Sequence, residues 1–507
     1  MSTTTSRSVN SIRNMIFGIG SQLIILIMSF IGRSVFIKFL GAEFLGVNGL
    51  YNNILTVLSL AELGIGNVMI YSLYKPLSNN DRFTIRVLLN YYKKIYRIVA
   101  LAVLIIGLLL IPFLNIIVNS DISNSNLILY YVLFLMNSVA SYFSVYKAIL
   151  INADQKIYIV KGLQTAVIIV KEILQIVILL FTKSYILYLF IMIASTILNN
   201  IFISVKANNL YPFIKIKEKI RHEEFGKKEI KNNLKSTFLY KIGVVIMNNT
   251  DNILISIIIG TVYVGYYSNY SLLVTAITTF IGVLIQALFS SIGNFNADGE
   301  MQKSYKLFNV LLLVFHWIAA CCSICFLLVF NDFITVWVGD NYILGTNVVI
   351  VIVINFYIQN IINPVWMYRE TMGLFNEIKY IMLVASLLNL VLSVILGVYW
   401  GLSGILVSTA ISRIFTVVWY EPNVLFKSKF GRKVSDYWIR QTKYFIITIV
   451  TSLLSLILLK DIPISLLGIL LKILCGSIFM SSAFLIVNYK KEEFLVLRKY
   501  VSLFKNR

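Results

Sequence analysis

Five polar residues in a row, Asn248-Asn249-Thr250-Asp251-Asn252, interrupt an otherwise apolar run. A helix facing lipid does not carry such a stretch, so the segment must face protein or water. Asp251 supplies its charge. With an amide oxygen from Asn248 or Asn252, it would suit a hard cation such as sodium. A proton relay is equally allowed, and so is a hydrogen-bonded structural acid. Glu62 poses the same question in Leu60-Ala61-Glu62-Leu63-Gly64-Ile65-Gly66. Two glycines in one turn permit a kink or a close helix approach. Glu62 is then a paired structural carboxylate, a proton or cation carrier, or the counter-ion of a buried arginine.

An ionisable group inside a membrane span costs ~2.5–3.5 kcal/mol on insertion scales, so each one asks for a reason. Arg33 either snorkels to the interface or offers a cation to an anionic headgroup. Its planar fork grips phosphate bidentately and keeps its charge. Lys171 and Glu172 are adjacent, and neighbours on a helix do not face each other, which predicts partners on other helices. Arg413 is expected to pair structurally as well. Lys241 and Lys472 are expected to snorkel. His316, before Trp317, reads as a satisfied core histidine. Cys321, Cys322 and Cys325 have no partner cluster and read as small-residue packing.

The chain around these residues has 507 residues, 59% hydrophobic and 13% charged, with a mean hydropathy of +0.84. Soluble domains are about a quarter charged, so the natural solvent here is lipid. The net charge of +22 sits in short segments between apolar runs, which argues against nucleic acid. No glycine-rich loop with Lys-Ser/Thr is present for nucleotide phosphates, and no metal-ligand spacing. No cofactor and no enzymatic machinery are expected.

Runs long enough to span a bilayer, ~20 residues each, fall at 14–39, 45–74, 97–118, 127–150, 159–181, 185–205, 236–259, 265–291, 307–330, 346–367, 379–400, 402–426, 444–459 and 464–488. These predict an all-α polytopic membrane protein of about 14 transmembrane helices. Met1 to Asn10 lacks a cleavage site and leads into a first helix rather than a removed signal. With both termini cytoplasmic, only Lys38, Lys183 and Lys460 of the 44 Lys and Arg face outward, and five lie inside spans. That is the positive-inside bias. The expected outer segments Asn119–Asn126 and Asn331–Gly345 carry Asp121, Asp332 and Asp340 and no cation. The basic segment 206–235 reads as a solvated cytoplasmic linker beside anionic lipid. It divides the chain into six-helix bundles at 1–205 and 236–426, followed by 427–507 with two further helices and a tail.

A short repeat lies at the first turn of each bundle. Leu40-Gly41-Ala42-Glu43-Phe44-Leu45-Gly46 parallels Ile259-Gly260-Thr261-Val262-Tyr263-Val264-Gly265, and transporters are often built from duplicated halves. The run from Arg33 to Asn67, followed by Tyr71 to Leu77, resembles the Wzx-type oligosaccharide-unit flippases. These form the polysaccharide-biosynthesis branch of the multidrug/oligosaccharidyl-lipid/polysaccharide exporter superfamily. Length and the six-six-two arrangement agree with it.

The resemblance implies alternating access by two bundles in a bacterial cytoplasmic membrane. The cargo would be an oligosaccharide on polyprenyl diphosphate, bound for capsule or exopolysaccharide. Polymerase and glycosyltransferases of the same pathway would be partners. Arg33 and Lys241 match the cations that hold diphosphate, and Arg413 is a third candidate. Asp251, Asn389 and Thr409 fall where related flippases bind sodium, but an acid expected in span 11 is Ser393 here. The coupling ion, sodium or proton, stays open. The five intramembrane cations outnumber Glu62, Glu172 and Asp251, which suits an anionic cargo better than the cationic drugs of the same superfamily. A membrane glycosyltransferase would need a larger outer loop.

Overall fold

A computed structural model describes residues 2–62, 65–215, 227–297 and 301–505, and these are helical with short connections and no strand. Helix is the only open-ended structure that satisfies every backbone group without water. The helices are α1 (Ser2–Leu58), α2 (Ile65–Ser78), α3 (Arg82–Leu109), α4 (Asn124–Ser141), α5 (Val145–Ala153), α6 (Ile157–Thr182), α7 (Tyr185–Leu210) and α8 (Lys227–Ile258). There follow α9 (Thr261–Ala297), α10 (Met301–Val338), α11 (Thr346–Ile361), α12 (Asn363–Thr371), α13 (Ile381–Arg413), α14 (Trp419–Leu425), α15 (Ser435–Leu458), α16 (Leu466–Asn488) and α17 (Glu492–Lys505).

Ten helical stretches among the described residues are long and apolar enough to cross a membrane, or eleven if α4 and α5 form one broken span. The chain is therefore a multi-pass integral membrane protein. Two of the ten, Phe17–Leu58 and Phe375–Phe430, run to 42 and 56 residues, about twice a single crossing. Each bends at a glycine outside the helical region, Gly41 (φ 83°) and Gly401 (φ 59°). Of the basic linker expected at 206–235, the two ends are helical parts of α7 and α8, and 216–226 lie outside the described residues.

Contacts divide the chain into two units, Met1–Gly265 and Tyr266–Arg507. In the first, α1 packs along α6 and α8, and α7 against α4 and α6. The two copies of the short repeat meet inside this unit. A Cβ at Gly46 would collide with the carbonyl oxygen of Thr261, and a Cβ at Gly265 with that of Ala42. The contact is reciprocal, since Ala42 and Thr261 occupy matching places in the two copies. Backbone cannot swing aside as a side chain can, so glycine is required at both positions. Gly46→Ala and Gly265→Ala should each lower unfolding stability in detergent by ~1–3 kcal/mol. The double variant should cost less than the sum, because one separation relieves both clashes. Full additivity in a denaturant titration would contradict the shared contact. The α8–α9 turn is also stitched to the loop at 117–121, through Ser256 Oγ donating to Ile117 O (2.7 Å) and Thr261 N to Asn119 O (2.9 Å).

Helices α4 and α5 meet at a 40° bend. A break frees carbonyls that lipid cannot satisfy. Asn200 of α7 meets this need: its Nδ2 donates to Ala140 O (2.6 Å) and its Oδ1 accepts from Ser144 Oγ (2.5 Å).

In the second unit α10 is the hub for α11, α15, α16 and α17. It extends to Val338, so Asn331 and Asp332 are helical rather than part of an outer loop. Lys472 of α16 does not snorkel, contrary to the expectation from its sequence context. Its Nζ meets Asp332 Oδ2 at 2.6 Å with both side chains largely buried. An ion pair inside lipid removes two charges at once, whereas snorkelling spares only one. Gly476 lets α16 approach Leu328, and Cys325 Sγ sits 3.3 Å from Ser477 Oγ. Cys321, Cys325 and Cys475 pack against the same apolar cluster.

Candidate functional site

In the first unit, the charged residues gather where α1, α6 and α7 meet. Lys171 Nζ and Glu172 Oε1 are 2.8 Å apart. This corrects the expectation that adjacent residues seek other helices. The rule concerns side-chain bases on a helix surface, and a four-carbon stem can fold back when no water competes for its charge. Glu172 also reaches α1: a Cβ at Gly32 would run into its Oε2. Arg33 is the next residue, half-buried, and the charges of Arg33 and Glu172 both act on Tyr188 of α7. Tyr188 is held by an edge-on contact with Phe36 (5.1 Å) and by Gln175 Nε2 donating to its carbonyl (3.0 Å). Arg33, Lys171 and Glu172 together carry one net positive charge in an apolar setting.

The polar run lies on an unbroken stretch of α8. Asn249 Nδ2 and Thr250 Oγ1 donate to the carbonyls of Val245 (2.8 Å) and Ile246 (2.9 Å). Two of the five polar residues are thus satisfied by their own helix. Asp251 is half-buried and Asn248 exposed; Lys241, two turns earlier, is half-buried. Glu62 lies in a short 3₁₀ turn, Ser59–Glu62, and its side chain lies outside the described residues.

In the second unit, the bend at Gly401 folds α13 back on itself, and Gly404 packs on the carbonyl of Leu396 where a Cβ would clash. This brings Asn389 and Thr409 together. Asn389 Nδ2 donates to Thr409 Oγ1 (2.9 Å), Ser408 Oγ (3.2 Å) and Ser393 Oγ (3.3 Å), and Ser393 and Ser408 bond to each other. All four residues are buried. The cluster holds neutral oxygens and no carboxylate, and Ser393 joins it as a hydroxyl partner. Taken alone it fits a hydrogen-bonded clamp across the bend rather than a charged site. Arg413, at the end of α13, donates from Nη1 to Gln359 Oε1 of α11 (3.3 Å).

The deepest charges of the second unit are a pair that sequence context does not single out. Arg369 of α12 and Glu421 of α14 are each about 1% exposed. Arg369 Nη1 donates to Glu421 Oε1 (3.1 Å) and Nη2 to Glu370 Oε1 (2.9 Å). Glu421 stands between two π-helical turns, Ile414–Val418 and Phe426–Phe430, and precedes Pro422. π-Turns recur at functional sites. The missed signal is Glu421 itself, an acid inside the apolar run 402–426, which demands a cation. His316 is a core histidine, as expected. It is buried, with Nδ1 2.8 Å from Leu312 O and Nε2 2.7 Å from Gln441 Oε1.

Neither a family model nor a curated protein sequence matches the chain. Solved structures do. The chain is similar to the lipid II flippase MurJ in an inward closed conformation, with a TM-score of 0.65, 15% identity, and coverage of 93% of this chain and 98% of that one. It is also similar to an inward-facing multidrug resistance MATE family transporter of the MOP superfamily (0.59, 12% identity, 81% and 98% coverage). A third is the MATE multidrug transporter DinF-BH (0.58, 15% identity, 85% and 98% coverage). At these identities the likeness establishes the fold: this is a multi-pass membrane protein with the fold of that flippase and those multidrug transporters.

Proposed function

We propose that the chain is a flippase of the Wzx type. It would move polyprenyl-diphosphate-linked oligosaccharide units from the cytoplasmic to the outer leaflet by alternating access, for a surface polysaccharide. One observation supports this reading over drug export. The flippase structure accounts for 93% of this chain, whereas the two MATE structures account for 81% and 85% while being almost fully covered themselves. The chain is thus longer than the drug transporters in the manner of the lipid flippase.

The charge inventory agrees. Lys171 and Lys472 form ion pairs within their own units; the diphosphate would be held by Arg33, Lys241 and Arg413. A diphosphate cannot cross ~30 Å of hydrocarbon without such groups. Both termini would be cytoplasmic, and polymerase and glycosyltransferases of the pathway would supply and consume the cargo. Deleting the gene should make complete lipid-linked repeat units accumulate on the cytoplasmic leaflet, relieved by the wild-type gene. Normal surface polymer with no accumulation would favour the drug-exporter reading, which a drug-sensitivity panel on the same strain would test. Accumulation of a different polyprenyl-linked precursor would reassign the cargo within the same mechanism.

Coupling to sodium or protons would centre on Asp251 with Asn248, and on Asn389 with Thr409 as neutral oxygen donors. Asp251→Asn should abolish the response of translocation to an imposed ion gradient in proteoliposomes while leaving cargo binding within about threefold. An unchanged gradient response would take Asp251 out of the coupling step.

A further inference from the structure

Between α3 and the break joining α4 to α5 lies a cavity of about 40 Å³. Its walls are Lys93, Tyr96 and Arg97 of α3, Tyr142 and Phe143 of the break, and Tyr146 of α5. A water needs roughly 10–15 Å³ by such a measure, so the space suits about three waters or one compact oxyanion. Lys147, next to Tyr146, places its ammonium 5.9 Å from the Tyr146 ring centroid. The charge of Lys93 acts on Lys147, and that of Arg97 on Tyr146. Two cations, Lys93 and Arg97, therefore line one hollow, and a third, Lys147, stands beside its Tyr146 wall. The ion pairs Lys156–Asp154 and Lys171–Glu172 of this unit involve none of them.

A solvated basic face needs no such walls. Lys93 is half-buried against them, whereas Lys94 and Arg97 are exposed. The cavity instead exists because α4 and α5 are broken and Asn200 holds the break open at Ala140 and Ser144. Among the described residues no ion pair joins Lys93, Arg97 or Lys147 to an acid; like charges so gathered repel one another, and a bound anion reverses the sign of that interaction. Guanidinium, ammonium and phenol are all donors to phosphate oxygens.

We propose that this cavity is a phosphate-binding site, separate from the Arg33 group, which takes the phosphate of an anionic amphiphile or of a dissolved phosphate. It does not depend on the flippase reading, because binding is defined without cargo or transport.

The test uses the purified full-length chain and native mass spectrometry with dodecyl phosphate, inorganic pyrophosphate and, as a zwitterionic control, dodecylphosphocholine. Wild type should bind dodecyl phosphate in preference to the control. Lys93→Gln and Arg97→Gln should each weaken that binding about tenfold or more, Arg97→Lys should retain part of it, and Lys94→Gln should leave it unchanged. Unaltered thermal unfolding of the glutamine variants would show that they fold. If pyrophosphate binds with the same variant pattern, the headgroup suffices and a dissolved phosphate can fill the site. If only dodecyl phosphate shows the pattern, the source is a lipid. Equal binding by wild type and both glutamine variants would overturn the proposal.

Discussion

Arg33→Ala is expected to abolish most translocation of lipid-linked oligosaccharide, with a fall of at least tenfold, and Arg33→Lys to keep part of it. The expectation rests on what a guanidinium does that an ammonium cannot: two parallel hydrogen bonds to one phosphate, from a group that never loses its charge. A charge-assisted hydrogen bond contributes ~1.5–3 kcal/mol, and each 1.4 kcal/mol is about a factor of ten. The rival explanation is that Arg33 serves only to balance Glu172, whose Oε2 lies over Gly32 and which shares Tyr188 with Arg33. The two differ in the double variant. If Arg33 serves only the charge balance of this group, Arg33→Ala with Glu172→Gln restores transport, because the double variant keeps the single net positive charge, now on Lys171. If Arg33 grips the cargo, the double variant stays inactive. Translocation into the outer leaflet, measured in proteoliposomes against folded protein, separates these outcomes.

Arg369→Met is expected to destabilise the second unit by ~3–5 kcal/mol, the cost of leaving a buried partner charge uncompensated. Glu421 is almost wholly buried and would then hold a carboxylate, or take up a proton, inside a packed helix junction. Replacing both partners with apolar residues, Arg369→Met with Glu421→Leu, should recover most of the loss, since a buried ion pair adds little over hydrophobic packing of similar volume. Around the pair, Phe308 packs on Tyr368 (5.1 Å) and Tyr305 on Phe430 (5.2 Å), so apolar replacements have neighbours to pack against. Denaturant titration in mixed micelles reads all three variants. A double variant as unstable as the single one would show that the pair does more than cancel charge. Transport by a stable double variant then reports whether the π-turns around Glu421 must move.

The solvent of this protein was legible at once, because hydropathy sums over a window of some twenty residues and needs no knowledge of neighbours. So were the helices, since apolar runs of ~20 residues match a helical crossing, whereas barrel strands are shorter and alternate. The repeat at Gly41–Gly46 and Gly260–Gly265 was visible as spacing, but its meaning was not. That each glycine receives the other copy's carbonyl is a property of two helices crossing. The pairing of Lys171 with Glu172 is not legible from spacing, because a surface rule for helix neighbours ignores how far a lysine folds back when water is absent. Lys472 and Asp332 are 140 residues apart, and no local pattern links them. Asn389 and Thr409 are 20 residues apart, and the bend at Gly401 brings them within hydrogen-bonding distance. What the sequence by itself determined is a membrane-embedded, all-helical chain whose buried polar groups demand partners. Which partner each one found was decided only by tertiary structure, because pairing depends on the rotation and crossing of helices distant in the chain, and a one-dimensional pattern carries no information about either.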